Sequence, residues 1–180
     1  MRDKRCHEVI IVYNSNDLEV LKKYLDKYND LRIKLVAGGK ERQNSVLNGL
    51  NEVTSEYVLV HDGARANINQ GLIDKLLVAL DKNQVVSLGI NVTDTIKSVT
   101  DCVKTVDRTN LYYVQTPQAS IKRVLIECLE KAEHDNVIVT DDLMAIEMYS
   151  DIVPTIVAGE KSNIKVTTLE DLNLLKYYME

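Results

Sequence analysis

The sequence contains no tryptophan and no phenylalanine, and it has only two prolines, three cysteines and seven glycines. So few prolines and glycines leave no flexible linker, and neither a low-complexity stretch nor an internal repeat is present. Cys6, Cys102 and Cys128 are odd in number, widely spaced and form no Cys-x-x-Cys pair. That pattern speaks against a disulfide framework and against a cysteine zinc site. No apolar run approaches the ~20 residues that a bilayer span requires. The charged residues 1–5 are not followed by the apolar core of a signal peptide, so a cytoplasmic location without membrane attachment is expected. A basic stripe is also missing. The net charge is −5, with acidic and basic residues intermixed, which argues against nucleic-acid binding. A few local cations would still serve a single triphosphate.

What is present is a regular alternation of short β-branched runs with amphipathic segments. Strands are expected over residues 8–13, 31–36, 57–60 and 85–90, with helices over 17–28, 41–51 and 70–80. Apolar strands linked by helices point to an α/β layer fold with a mostly parallel sheet and helices on both faces. The regularity stops after Ile90. Residues 91–114 alternate polar and β-branched types around Thr100-Asp101-Cys102, which predicts a two-stranded arm. Helices are expected again over 121–133 and 141–149, then short strands over 154–157 and 163–166, and a closing helix over 169–178. One domain over residues 1–180, bearing an arm over 91–114, is the simplest organisation.

Open parallel sheets bind ligands beyond the carboxyl ends of their strands, and the polar clusters fall there. Gly38-Gly39 sits between a strand and a helix, where small residues admit close approach and a helix N-terminus favours an anion. The same glycines would equally serve a tight turn. Asp62, at a strand end and three residues before Arg65, could hold a metal near phosphates, or could simply pair with that arginine. His61 reads more readily as a hydrogen-bonded structural residue than as a base. Thr95 and Arg108 lie on the two limbs of the arm and could grip a phosphate, the arginine by a bidentate contact, although a solvated hairpin needs no ligand. Thr140 is suited to cap a helix. Lys165 stands between apolar neighbours, where a cation suits charge developing on phosphorus.

Taken in order, these segments resemble one known family. Gly38-Gly39, Arg42, Ser45-Val46 and Asn48-Gly49-Leu50 look like its first motif, and His61-Asp62-Gly63-Ala64-Arg65 looks like its second. Asp94-Thr95-Ile96-Lys97, Thr105-Val106-Asp107-Arg108, Gln115-Thr116-Pro117-Gln118, Thr140-Asp141-Asp142 and Asn163-Ile164-Lys165-Val166-Thr167 follow in family order. The family is the 2-C-methyl-D-erythritol 4-phosphate cytidylyltransferases of non-mevalonate isoprenoid synthesis. The resemblance implies a Rossmann-like nucleotidyltransferase fold of the GT-A type, working as a homodimer through its arm. It implies CTP and a polyol phosphate as substrates, with Mg2+ as cofactor. By position, Gly38, Gly39 and Ser45 would contact cytosine and ribose, while Asp62 would lie by the triphosphate and its magnesium. Arg65 would support that loop. Thr95 and Arg108 would grip the methylerythritol phosphate in the neighbouring subunit's site, and Thr140 would line the substrate pocket. Lys165 would stabilise the pentavalent α-phosphate.

The resemblance also sets out departures. The family opens with a further strand and a glycine-rich triphosphate loop, whereas no glycine precedes Gly38 here. The first strand and its phosphate ligands are therefore expected to be missing, and turnover by the chain as given is expected to be weak or absent. Ala66 stands where the family usually has proline, and Ser120 where an aromatic is common. Ribitol-5-phosphate cytidylyltransferases share part of the pattern and form the alternative reading. A catalytically impaired binding or assembly remnant of the family is another.

Overall fold

In the computed structural model, which describes residues 3–180, β-branched runs become strands and segments with helical apolar spacing become helices. The chain begins β1 (Val9–Tyr13), α1 (Leu18–Leu25), β2 (Ile33–Ala37), α2 (Arg42–Asn51), β3 (Tyr57–Val60), α3 (Gln70–Leu80) and β4 (Val85–Asn91). It continues with β5 (Ile96–Val99), β6 (Val103–Val106), β7 (Tyr112–Ile121), α4 (Lys122–His134), α5 (Asp142–Tyr149), β8 (Thr155–Ala158) and α6 (Leu169–Met179). These elements fall into two compact units. The first holds the residues up to Val60 with Ala119–Pro154, and the second holds His61–Gln118 with Thr155–Glu180.

In the first unit β1 and β2 pair in parallel, from Val9↔Ile33 to Tyr13↔Ala37, as a two-stranded sheet among the described residues. Helix α4 buries Leu125, Cys128, Leu129 and Ala132, a stripe at three- and four-residue spacing that packs on α5. Glu8, just ahead of β1, anchors the entry to β3. Its Oε1 accepts from Thr54 N (2.7 Å), Thr54 Oγ1 (2.9 Å), Ser55 N (3.0 Å) and Ser55 Oγ (3.1 Å), while Oε2 meets Lys34 Nζ at 3.1 Å. Burial pushes this carboxyl upward, but the donors from Thr54, Ser55 and Lys34 outweigh it and hold the group at about 2. Ser120, in the last residues of β7, is buried, and its Oγ has no hydrogen-bond partner.

In the second unit the strand order is β7-β4-β8, with β4 and β8 parallel from Val86↔Thr155 to Gly89↔Ala158. The run Val85–Gly89 of β4 is buried throughout, and α3 lays Leu72, Leu76 and Leu80 against β4 and β8. Asn69 caps α3, its side chain accepting from Leu72 N. Strands β5 and β6 form an antiparallel pair from Ile96↔Val106 to Val99↔Val103, the two-stranded element expected from the alternation in residues 91–114.

One local expectation is corrected. Residues 163–166 form a loop between β8 and α6, not a strand, because the Asn163 side-chain amide binds the Thr116 carbonyl of β7 and its backbone carbonyl is taken by Arg65. Thr116, Pro117 and Gln118 lie inside β7, a ten-residue strand. Pro117 supplies no N–H to the ladder there.

The Glu8 bonds give a pH signature. The folded carboxyl titrates near about 2, below its ordinary 4.5, so its stabilising effect is complete above 4.5 and is lost as pH falls from there toward 2. Replacement by glutamine, Glu8→Gln, should lower stability at neutral pH and flatten the acid limb. Urea unfolding midpoints measured between pH 7 and pH 3 check both.

Candidate functional site

Polar residues cluster at loops in each unit, and each cluster has its own logic. In the second unit the chain leaves β3 into the segment His61–Arg65, which turns back on itself through Arg65 N donating to Asp62 O at 2.9 Å. The Asp62 carboxylate faces Lys165, with Oδ2 and Nζ 2.9 Å apart. The carboxylate side chain is 17% exposed and the lysine side chain 48%, so the pair lies at a loop surface with its acidic member sheltered. Lys165 is held by its loop: Val166 N donates to Ala64 O at 2.9 Å, stitching the lysine segment directly to the Asp62 segment.

Thr116, in β7, lies at the centre of this cluster. Its Oγ1 accepts from Asp62 N at 3.0 Å and stands 3.1 Å from His61 Nδ1. His61 Nε2 lies 2.9 Å from Arg65 O, an acceptor only, so Nε2 carries the proton and Nδ1 accepts from the threonine hydroxyl. Burial lowers the imidazole's affinity for a proton, with Arg65 O and the Asp62 charge opposing that shift only in part. A neutral histidine with both nitrogens occupied holds the loop in shape. Arg65 donates from Nη1 to Asn163 O at 2.8 Å, and burial lowers its pKa against the opposing pull of Asp62. Arg65 is thereby tied to the Asn163 backbone.

Thr95 and Arg108 both lie at the open end of the β5–β6 hairpin, beyond the pair Ile96↔Val106, and both are exposed. Arg108 Nη1 donates to Thr93 O. Lys97 Nζ meets Thr105 Oγ1 across the hairpin at 2.6 Å.

In the first unit Gly38 and Gly39 link β2 to α2. Gly38 N donates to Tyr13 O (2.8 Å) and Gly39 N to Ser45 Oγ (3.0 Å), while Ser45 Oγ donates to Glu41 O (3.2 Å). A Cβ on Gly38 would sit 2.9 Å from Ser45 Oγ, and one on Gly39 would collide with Asn44 Cβ. The absence of side chains is thus required by packing against α2. Glu41 and Asn44 form a capping box that starts the helix. Arg42 clamps Asp142, 3% exposed, through Nη1–Oδ1 (2.8 Å) and Nη2–Oδ2 (3.1 Å). Gln43 bonds Val137 O and Val139 N at 2.9 and 2.8 Å. Together these fix the segment that carries Thr140.

Thr140 itself is exposed and does not cap α5, contrary to expectation. The cap is Asp141, whose Oδ1 accepts from Met144 N at 2.9 Å, and the Thr140 hydroxyl points to Met144 Sδ at 3.5 Å. A carboxylate one position later competes successfully for the free helix N–H groups because its charge also favours the helix dipole. Asn163, Gln115 and the Arg42–Asp142 clamp were given no role by sequence reasoning. Their signal was their place inside ordered motifs, whose pattern alone does not show which side chain is buried.

Comparison with known proteins places the whole chain in one group. The family described as 2-C-methyl-D-erythritol 4-phosphate cytidylyltransferase matches over residues 1–180. A relative so named from Clostridium botulinum is 37% identical over 96% of this chain and 78% of its own length. One from Prochlorococcus marinus is 41% identical over 94% of this chain and 78% of its own. Among solved structures, the 4-diphosphocytidyl-2C-methyl-D-erythritol synthase of Anaerococcus prevotii superposes with a TM-score of 0.91 and 36% identity, covering 99% of this chain and 81% of that one. The Francisella tularensis cytidylyltransferase superposes with a TM-score of 0.83 and 30% identity, covering 98% and 82%.

Packing at Gly39 gives a direct expectation. Gly39→Ala forces Asn44 and the start of α2 to shift, at a cost of about 1–3 kcal/mol. Thermal unfolding of the purified variant measures it, and an unchanged midpoint would mean that α2 yields without cost.

Proposed function

Because the chain belongs to the 2-C-methyl-D-erythritol 4-phosphate cytidylyltransferase family, we propose that it transfers the cytidylyl group of CTP to 2-C-methyl-D-erythritol 4-phosphate. An oxygen of the substrate phosphate attacks the α-phosphorus of CTP. A new P–O bond forms, the bond between the α- and β-phosphates breaks, and pyrophosphate leaves. A phosphate monoester is largely ionised at neutral pH, so the attacking oxygen needs no general base. That agrees with His61 being neutral and fully engaged. Such a reaction asks the protein for positioning and charge neutralisation.

The observation that carries this reading is the Lys165–Asp62 pair, a cation held by a sheltered carboxylate at two stitched loops. In this proposal Lys165 stabilises the charge that builds on the α-phosphate. Asp62 orients that lysine and lies by the triphosphate, and Arg65 keeps the Asp62 turn closed. Gly38, Gly39 and Ser45 receive the cytosine and ribose. Thr95 and Arg108 bind the methylerythritol phosphate, and Thr140 lines its pocket.

Magnesium belongs to the same proposal. Among the described residues no group of three His, Cys, Asp or Glu side chains could hold a metal ion. Magnesium keeps several waters and is ordinarily held by one or two carboxylates together with substrate phosphates, which suits Asp62 as the single protein ligand. When bound it would neutralise triphosphate charge. Lys165→Ala should lower kcat by about 100- to 1,000-fold, the scale of losing one donor to a developing charge. Pyrophosphate release with CTP, magnesium and methylerythritol phosphate measures it. Undiminished turnover in that variant would remove Lys165 from the mechanism, and preference for ribitol 5-phosphate would change the substrate.

A homodimer formed through the arm completes the proposal, along with a cytoplasmic location. No helix among the described residues is long and apolar enough to cross a membrane. Val99 and Val103 on the arm are 71% and 65% exposed, which supports burial of that element against another copy. A charged residue there, Val103→Asp, should shift the protein to monomer in sedimentation velocity, whereas an unchanged sedimentation coefficient would place the dimer elsewhere or nowhere.

A further inference from the structure

Asn163 stands two residues before Lys165 and is completely buried. Its Nδ2 donates to Thr116 O at 2.9 Å. Its own carbonyl accepts from Arg65 Nη1 at 2.8 Å and from Gln115 Nε2 at 3.2 Å. Gln115, also buried, grips the same loop earlier, with Nε2 donating to Glu160 O (2.8 Å) and Oε1 accepting from Glu160 N (3.3 Å). After the lysine, Val166 N is tied to Ala64 O. The lysine backbone is therefore pinned on both sides. Thr116, which receives the Asn163 amide, also receives Asp62 N on its hydroxyl, so one strand residue sets the position of both partners of the ion pair.

The amide is only partly used. Asn163 Oδ1 is buried without a hydrogen-bond partner. A buried polar atom in that state is costly, so stability alone would favour an apolar side chain of similar volume. The amide is better explained by what it holds in place. Lysine is flexible over four methylenes, so its ammonium has no fixed position unless the backbone and a partner supply one.

We propose that Asn163 is a positioning residue for cytidylyl transfer, registering the 159–166 loop on β7 so that the Lys165 ammonium is held against Asp62. The inference rests on Lys165 being the charge-stabilising group of the proposed function. Asn163 does not touch the reacting atoms; it acts through the lysine.

The test compares Asn163→Ala, Lys165→Ala and the double variant, all in the full chain. Misplacement by about 1 Å costs on the order of 100-fold in rate, so Asn163→Ala should lower kcat by roughly 10- to 100-fold, with the KM for CTP little changed. In the Lys165→Ala background it should cost almost nothing more, because the group through which it acts is already gone. Fully additive losses would overturn the proposal. Competitive acetylation of lysines, read by peptide mass spectrometry, reports the same placement without turnover. Labelling of Lys165 relative to the exposed Lys104 should rise several-fold in Asn163→Ala, and an unchanged ratio would overturn the proposal. If the unmodified chain forms no product, the functional reading fails while the labelling ratio still decides the placement. Should Asn163→Ala fail to fold, Asn163→Asp keeps the side-chain shape and carries the same two readouts.

Discussion

Thr116 is a small side chain on which much of the second unit's chemistry depends. Its hydroxyl accepts the Asp62 amide and faces His61, while its carbonyl takes the Asn163 side chain. A strand can serve two loops in this way because it is itself held firmly. Its neighbour β4 is buried from Val85 to Gly89, and Ser87 Oγ donates to Gln115 O at 3.1 Å. The apolar sheet supplies rigidity, and the polar residues at its end convert it into placement of a carboxylate and an ammonium. Rigid elements locate functional groups more accurately than loops do alone. Here the loops obtain that accuracy from β7.

The first unit solves a related problem with different means. Between β2 and α2 the chain has little room, and two glycines with a serine close the turn by backbone-to-hydroxyl bonding. The following Arg42 reaches a nearly buried Asp142 with both guanidinium nitrogens, and Gln43 bonds on both sides of Ile138. A buried ion pair gains little for stability against an apolar replacement, but it gives geometric definition. It joins the start of α2 to the start of α5, which fixes the exposed Thr140 although that residue is not the helix cap.

Elements with a strong period were legible in the sequence. The strand Tyr57–Val60 and the helix Gln70–Leu80 have the expected bounds, since each combines a clear apolar pattern with polar flanks. The helix expected over 17–28 is shorter, Leu18–Leu25 after a 3-10 turn at Ser15–Asp17, and none of its residues is buried. Without burial, periodicity has no core to enforce it. At 163–166 the apolar Ile164 and Val166 around Lys165 favour a strand, yet tertiary bonds of Asn163 override that local preference. Of the candidate site residues, Asp62 and Lys165 prove to be partners, which no spacing predicts across a hundred residues of chain. The glycines at 38 and 39 mark a break in the sequence, but their fit against Ser45 and Asn44 is a tertiary property that no local pattern carries.

Transfer of a cytidylyl group by attack on the α-phosphorus implies coupled products: every pyrophosphate released must be matched by one new cytidine diphosphate ester. Phosphorus NMR of the chain incubated with CTP, magnesium and methylerythritol 4-phosphate observes both at once. The account predicts that the diphosphate-ester resonances and pyrophosphate grow in equal amounts, and that neither grows when the polyol phosphate is omitted. Pyrophosphate formed without the ester, or CTP left unchanged by the complete mixture, would contradict it.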